Sequence, residues 1–208
     1  MDIASSELKN RALGNLNIGW GNPILAFFLV GLISQLSRFV PFIGSIIALI
    51  IVGPLALGSA TFSLQFSKNE NPKVSTVFSG FNNFGNALGT YILMRLIVFA
   101  FTLLLIIPGI IRALAYSQTM FILAKNPNIA PLDALKKSRE MMDGHKMDYF
   151  ILNLNFIGWF LLCIPTFGIG LFWLVPYINI SLAHFHNELA GDEDLGVVLT
   201  NSDELLDA

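Results

Sequence analysis

Charged residues are scarce in this sequence and are missing from long stretches of it. Only 12% of the 208 residues are charged and 54% are hydrophobic, whereas soluble domains carry roughly 25% charged residues. No Asp or Glu occurs between Glu7 and Glu70, between Glu70 and Asp133, or between Asp148 and Glu188. These stretches contain long apolar runs that one core of this size could not bury. The composition therefore predicts an all-α polytopic integral membrane protein.

The residues of common catalytic centres are also scarce. The single cysteine, Cys163, excludes an intramolecular disulfide and a CxxC redox pair. The motifs GxSxG, HExxH and GxxxxGK[ST] are absent. Of the three histidines, only His184 has an acidic residue four positions away, Glu188, and a metal ion needs further ligands. We expect no catalytic residue, metal site or cofactor, and hence no enzyme; the histidines near Glu188 are expected to anchor a helix end.

Long apolar runs are abundant. A helix needs about 20 mostly apolar residues to cross a bilayer. This rule predicts about six membrane-spanning helices at 20–37, 41–65, 88–108, 109–125, 149–165 and 169–187. They form three helical hairpins, and each hairpin follows a short amphipathic helix expected at the membrane interface.

The basic residues fall mainly on one side of this arrangement. Nine of the twelve lysines and arginines lie before the first span, between spans two and three, or between spans four and five. Tight turns near Pro41, Pro108 and Pro165 occupy the other side. Because lysine and arginine are enriched in cytoplasmic loops, the sequence predicts a multi-pass protein of the cell membrane with both termini in the cytoplasm.

Similar segments recur along the chain. Asn71-Pro72 and Asn126-Pro127 each begin a moderately polar stretch that leads into a span. We interpret residues 1–190 as one membrane domain with candidate repeats at 5–65, 71–125 and 126–187. Chance similarity among apolar segments is the alternative. Residues 191–208 contain six acidic residues and no basic one, which predicts a flexible cytoplasmic tail.

Two arginines lie within predicted spans. Arg95 is about seven residues into the third span, and Arg112 is near the outer end of the fourth. An arginine at the centre of a bilayer costs about 2.5–3.5 kcal/mol, so each needs a polar partner. Both side chains could extend to the headgroups as purely structural residues. Alternatively, they could form a site for an anion or a lipid headgroup, together with Gln118 and nearby asparagines.

The connector between spans four and five contains a predicted soluble-type helix. Pro131 suits its first turn, and Gly144 lies where it would end. Lys136, Lys137 and Arg139 are candidate contacts for anionic headgroups on this helix. The alternative is a solvated loop helix whose charges only obey the orientation rule.

Several motifs resemble a known family. They are Arg112-Ala-Leu-Ala-Tyr116, Ala134-Leu-Lys-Lys-Ser138 with Gly144-His-Lys146, Phe156-Ile-Gly158-Trp159, and Gly168-Ile-Gly170 followed by Trp173-Leu-Val-Pro176-Tyr177. Together they resemble the family called domain of unknown function 975, which comprises small multi-span proteins mainly of Gram-positive bacteria. The resemblance covers the chain from Leu8 to Glu188. It implies a six-span topology and no catalytic activity.

Two classes of function remain open. The first is a non-enzymatic component of the bacterial envelope that binds membrane lipids, or a membrane protein partner or second copy of itself, and no nucleic acid. The second is a small transporter for a small or anionic solute. A shared interior cavity lined by Arg95, Gln118, Asn153 and Asn179 would favour transport. Side chains that point separately to lipid interfaces would favour binding.

Overall fold

The protein is almost entirely helical. The computed structural model describes the backbone of residues 5–36, 43–166 and 168–206, and the side chains of 5–17, 19–35, 50–166 and 168–191. The protein is 84% helical, and no strand occurs within these ranges. The helices are α1 (Ser5–Ile18), α2 (Gly21–Leu36), α3 (Ile43–Ser67), a 3-10 helix (Val74–Asn83), α4 (Phe84–Leu104), α5 (Ile106–Ala115), α6 (Thr119–Lys125), α7 (Pro131–Met141), α8 (Lys146–Cys163) and α9 (Leu171–Leu206).

Several of these helices are compatible with a lipid bilayer. Three described segments are long and apolar enough to cross a membrane, namely Ile50–Ser67, Val74–Leu104 and Ile106–Lys125. The pair α1–α2, bent by 105°, would make a fourth if it forms one broken span. The all-α class is confirmed, and membrane insertion is supported by length and composition.

The predicted six spans and their hairpin layout are not confirmed by these lengths. Helix α8 has 18 residues but begins with Lys146 and Asp148 and contains Asn153 and Asn155, which lower its apolar character. The turn predicted near Pro41 lies outside the described residues.

Helix α9 is the centre of the packing. Its Ala183 joins a buried cluster with α3, α4 and α6. Phe185 belongs to a second cluster with α1, α8 and Met142, and Ile180 to a third with α1, α2 and α3. The helix continues to Leu206 and therefore includes most of the acidic segment for which the sequence predicts flexibility. No proline after Pro176 interrupts it.

The neighbours of α2, α4 and α8 follow a common pattern. Each of them contacts the helix that follows it: α2 contacts α3, α4 contacts α5, and α8 contacts α9. Each also contacts a helix of another candidate repeat, since α2 packs on α9, α4 on α3 and α8 on α5. The division into three repeats stays a prediction, and a cyclic arrangement of three units would give these contacts.

The 3-10 helix packs closely along α3 because each of the two helices has a glycine that lies against the backbone of the other. A Cβ added at Gly58 would overlap the carbonyl group of Val77, and one at Gly80 would overlap the carbonyl oxygen of Pro54. Any larger residue would push the two backbones apart. The glycines therefore fix the distance between α3 and the 3-10 helix.

Gly58→Ala should destabilise the fold. Overpacking of a close contact costs typically about 1–3 kcal/mol, so we expect a lower thermal midpoint in detergent solution, measured by circular dichroism. Gly85→Ala is the matched control, because a Cβ at Gly85 meets nothing within 4 Å. Equal midpoints for the two variants would contradict this account of the contact.

Candidate functional site

The helix break between α5 and α6 leaves one backbone carbonyl oxygen without its usual helical hydrogen bond. In a continuous helix, the N–H group of Thr119 would donate to the carbonyl oxygen of Ala115. It donates instead to Tyr116, at 3.2 Å. The carbonyl oxygen of Ala115 accepts a hydrogen bond from Oγ of Ser138 on α7, at 2.9 Å, and Ser138 is fully buried. The break therefore anchors the connector helix to α5.

One turn away from this anchor, basic side chains of three elements line one cavity. Arg112 comes from α5, Arg139 from α7, and Lys146 from the first residue of α8. The cavity has a volume of about 470 Å³. Its remaining walls are Phe101, Pro108, Ile111, Ala115, Glu140 and Asp143.

Ion pairs neutralise some of the charged side chains around this cavity. Nζ of Lys146 lies 2.9 Å from Oδ1 of Asp143, and this hydrogen bond holds the pKa of the Asp143 carboxyl below its ordinary value. Glu140 lies 4.0 Å from Lys136, a long and exposed pair that is worth little. The guanidinium of Arg112 lies 4.5 Å from the ring centroid of Phe101. Among the described residues, no carboxylate forms an ion pair with Arg112.

The position of Arg112 differs from the sequence-based expectation. The sequence places Arg112 near the membrane surface opposite the connector. In the structure it shares a cavity with Arg139 and Asp143, which belong to that connector. The reason is the hydrogen bond from Ser138, which brings α7 against α5.

The other candidate contacts lie apart from this cavity. Arg95 is exposed on α4, where its Nε donates to Oη of Tyr91 at 3.1 Å and its guanidinium lies over the same ring. Lys136 is exposed on α7, and Lys137 is half-buried on the same helix. The structure thus brings together Arg112 and Arg139 but not Arg95, Lys136 or Lys137. The sequence reasoning missed Lys146, although its position directly after the connector helix was a usable signal.

The four polar residues that would mark a transport path do not share a cavity. Asn179 lines a larger, mostly apolar cavity of about 720 Å³ between α2, α3 and α9. Gln118 is fully buried and donates to Ser117, whereas Asn153 donates to the backbone of its own helix at Tyr149. Arg95 is exposed. By the criterion set out above, this separation does not support transport, and the buried position of Gln118 does not support binding either.

Two histidines are buried rather than placed at a helix end. Nδ1 of His186 lies 3.2 Å from Oε1 of Gln118, and its ring stacks on Phe121. His184 is 9% exposed, and His186 is 1% exposed. Within the described part of the chain, no group of three His, Cys, Asp or Glu residues could hold a metal ion. These histidines act as polar core residues in this fold, a role that the sequence did not indicate.

Comparison with known proteins identifies the family. The family described as "Protein of unknown function (DUF975)" matches residues 1–113 and 96–193. The chain belongs to this family. The resemblance that the motifs indicated is thereby confirmed over nearly the whole chain. No curated protein matches the chain, and no solved structure does.

Ser138→Ala should loosen the connector from α5. The variant leaves a buried carbonyl oxygen at Ala115 without its partner, which costs about 1–3 kcal/mol. We expect a lower thermal midpoint and faster hydrogen exchange in α7. Ser75→Ala, at an exposed position of the 3-10 helix, is the control and should change neither quantity. An unchanged exchange rate in α7 of Ser138→Ala would show that this hydrogen bond does not hold the connector.

Proposed function

We propose that this protein is a non-enzymatic, multi-pass component of the bacterial cell membrane that binds anionic phospholipids. The phosphate of one lipid occupies the cavity lined by Arg112, Arg139 and Lys146. The observation that carries this proposal is the convergence of Arg112 and Arg139, from two different helices, on one cavity.

The charge balance of the cavity suits one phosphate group. Its lining carries three basic and two acidic side chains. Lys146 neutralises Asp143, and the distant Lys136 partly offsets Glu140. Arg112 and Arg139 are left to donate charge-assisted hydrogen bonds, which guanidinium groups form in pairs with phosphate oxygens.

Apolar surface next to the cavity suits the rest of a lipid. Ile111 lines the cavity and is 48% exposed, and Ile110 beside it is 50% exposed. A free phosphate ion would gain nothing from this surface, whereas the acyl chains of a lipid would cover it. We therefore assign the phosphate to a lipid headgroup.

The proposed orientation places the cavity at the cytoplasmic surface. Nine of the twelve basic residues lie on the predicted cytoplasmic side, together with both termini and the connector. Anionic lipids attract such basic segments at about 1 kcal/mol for each lysine or arginine near the surface. A membrane protein partner or a second copy remains compatible with this role.

A small transporter is the second candidate. The cavity of about 720 Å³ favours it, because Gln35, Ser59 and Asn179 place polar groups along an otherwise apolar wall. Among the residues that the structure describes, this lining contains no charged side chain, and recognition of an anionic solute would require one. Solute uptake by proteoliposomes that is lost in Asn179→Ala and kept in Arg112→Gln would favour transport.

Arg112→Gln and Arg139→Gln should each weaken the binding of an anionic phospholipid. A hydrogen bond to a charged group contributes about 1.5–3 kcal/mol, so each variant should lower affinity by roughly tenfold or more. Native mass spectrometry of delipidated protein titrated with phosphatidylglycerol measures the bound fraction. Phosphatidylethanolamine and inorganic phosphate are the comparison ligands.

Lys73→Gln is the control, because it removes one exposed charge from a residue that does not line the cavity. This variant should bind phosphatidylglycerol as the unchanged protein does. Equal binding in Arg112→Gln, Arg139→Gln and the unchanged protein would refute the headgroup site. Displacement of phosphatidylglycerol by inorganic phosphate at comparable concentration would instead assign the cavity to a free anion.

A further inference from the structure

The hairpin of α4 and α5 ends in a fully apolar tip. Leu103 is 78% exposed, Leu104 75% and Ile107 73%. Leu105 and Ile106, at the turn between α4 and α5, are 64% and 70% exposed. A surface of this kind requires an apolar environment.

The tip cannot be far from the charged connector. Ser138 bonds to Ala115, and Ala115 is ten residues from the turn at Leu105. At 1.5 Å for each helical residue, ten residues span about 15 Å. The hydrocarbon core of a bilayer is about 30 Å thick, so the hairpin extends over about half of it beyond this anchor.

The cavity lined by Arg112, Arg139 and Lys146 provides a second measure of the distance between the tip and the connector. Pro108, three residues after the turn, lines the same cavity as Asp143. The side chain of Asp143 is 84% exposed, and the neighbouring residues Arg139 and Glu140 are also exposed. Such charged groups stay in water or among headgroups. The tip therefore lies close to charged groups that stay at one membrane surface.

We propose that the α4–α5 hairpin inserts into the cytoplasmic leaflet and returns to the cytoplasmic surface without crossing the bilayer. Its apolar tip is surrounded by the acyl chains of that leaflet. Arg112, Arg139 and Lys146 stand at its base, where the phosphates of the same leaflet lie. The proposal rests on the membrane location proposed above and replaces two of the six predicted spans. Val74–Leu104 and Ile106–Lys125 are long and apolar enough to cross a membrane. The positions of Ala115 and Pro108 beside the connector are the reason to place this hairpin in one leaflet.

Part of the backbone at the tip is hydrogen-bonded, which lowers the cost of placing a turn among acyl chains. The N–H group of Leu105 donates to Phe101 at 3.1 Å, and its carbonyl oxygen accepts from Gly109 at 3.3 Å. Pro108 has no N–H group to satisfy. A Cβ at Gly109 would overlap Thr102, so only glycine lets α5 pack this closely on α4. The last carbonyl groups of α4 and the first N–H groups of α5, at Ile106 and Ile107, remain as the main cost of insertion.

The α8–α9 hairpin provides an internal comparison. Helix α8 has 18 residues, which span about 27 Å, close to the thickness of the hydrocarbon core. This hairpin begins at Lys146, at the same cavity as Arg112, and is long enough to cross. Length alone does not separate the two hairpins, because α4 with its 21 residues is longer than α8. They differ in the distance from the cavity to the turn, which is ten residues from Ala115 to Leu105 but 18 residues from Lys146 to the end of α8.

Cysteine labelling distinguishes the two topologies. Cys163 is the only cysteine, so Cys163→Ala gives a background without thiols. Leu105→Cys and Ile107→Cys are placed separately into this background, with Lys136→Cys and Ile169→Cys as controls. Each protein is treated with a membrane-impermeant maleimide in right-side-out and in inverted vesicles, and then in detergent.

We expect Leu105→Cys and Ile107→Cys to react only in detergent. Reaction of either cysteine from the outer side would show a hairpin that crosses, and reaction from the cytoplasmic side would show one that does not insert; both results overturn the proposal. Lys136→Cys should react in inverted vesicles and Ile169→Cys in right-side-out vesicles. These two controls report on the proposed orientation and on the third hairpin, so a failure there is separate from the result at Leu105.

The depth of the tip provides an independent measurement. A bimane fluorophore on Leu105→Cys should be quenched more strongly by lipids with a nitroxide midway along the acyl chain than by lipids with a headgroup nitroxide. A crossing hairpin would place the fluorophore at the outer headgroups and reverse this order. The reversed order overturns the proposal even if labelling fails for lack of access.

Discussion

The hydrogen bond between Ser138 and the carbonyl oxygen of Ala115 limits how far the α4–α5 hairpin can extend from the connector. It joins a connector with charged, exposed residues to a helix whose other end is an apolar tip. A helix rises by 1.5 Å per residue, so the distance from this bond to the tip is fixed by the chain itself. The bond exists because α5 breaks at Tyr116 and leaves an acceptor without its helical partner.

This constraint also explains how the protein accommodates Arg112. Near an outer membrane surface, the side chain would have to find a partner among lipid phosphates or the carbonyl groups freed by Pro108, since the predicted spans contain no carboxylate. In the structure, its guanidinium lies over Phe101 and faces a cavity shared with Arg139. A cation stacked on a ring and within reach of water or phosphate avoids most of the cost of burial. The position at which we propose that Arg112 binds an anion is therefore also one in which the arginine is tolerated.

Local signals in the sequence were sufficient for the helical class, the family and the bounds of α7. Pro131 begins that helix as expected, and Gly144 follows it with a positive φ of 80°. The cavity could not be predicted, because Arg112 and Arg139 meet only through the break at Tyr116. Hydropathy treats residues 109–125 as one apolar run and does not register that break. Burial of His186 against Gln118 was missed for the same reason, since Gln118 lies within the broken segment.

Counting charges could not reveal the depth of the second hairpin. A hairpin that returns to the surface it left places the next segment on the same side as one that crosses twice. The lysines and arginines on either side of α4 and α5 are therefore cytoplasmic under both topologies. Only a contact that fixes the distance from the tip to the connector can distinguish the two topologies, and the bond from Ser138 to Ala115 is such a contact. In the proposed topology, orientation follows from the placement of basic residues, and depth follows from the position of the helix break.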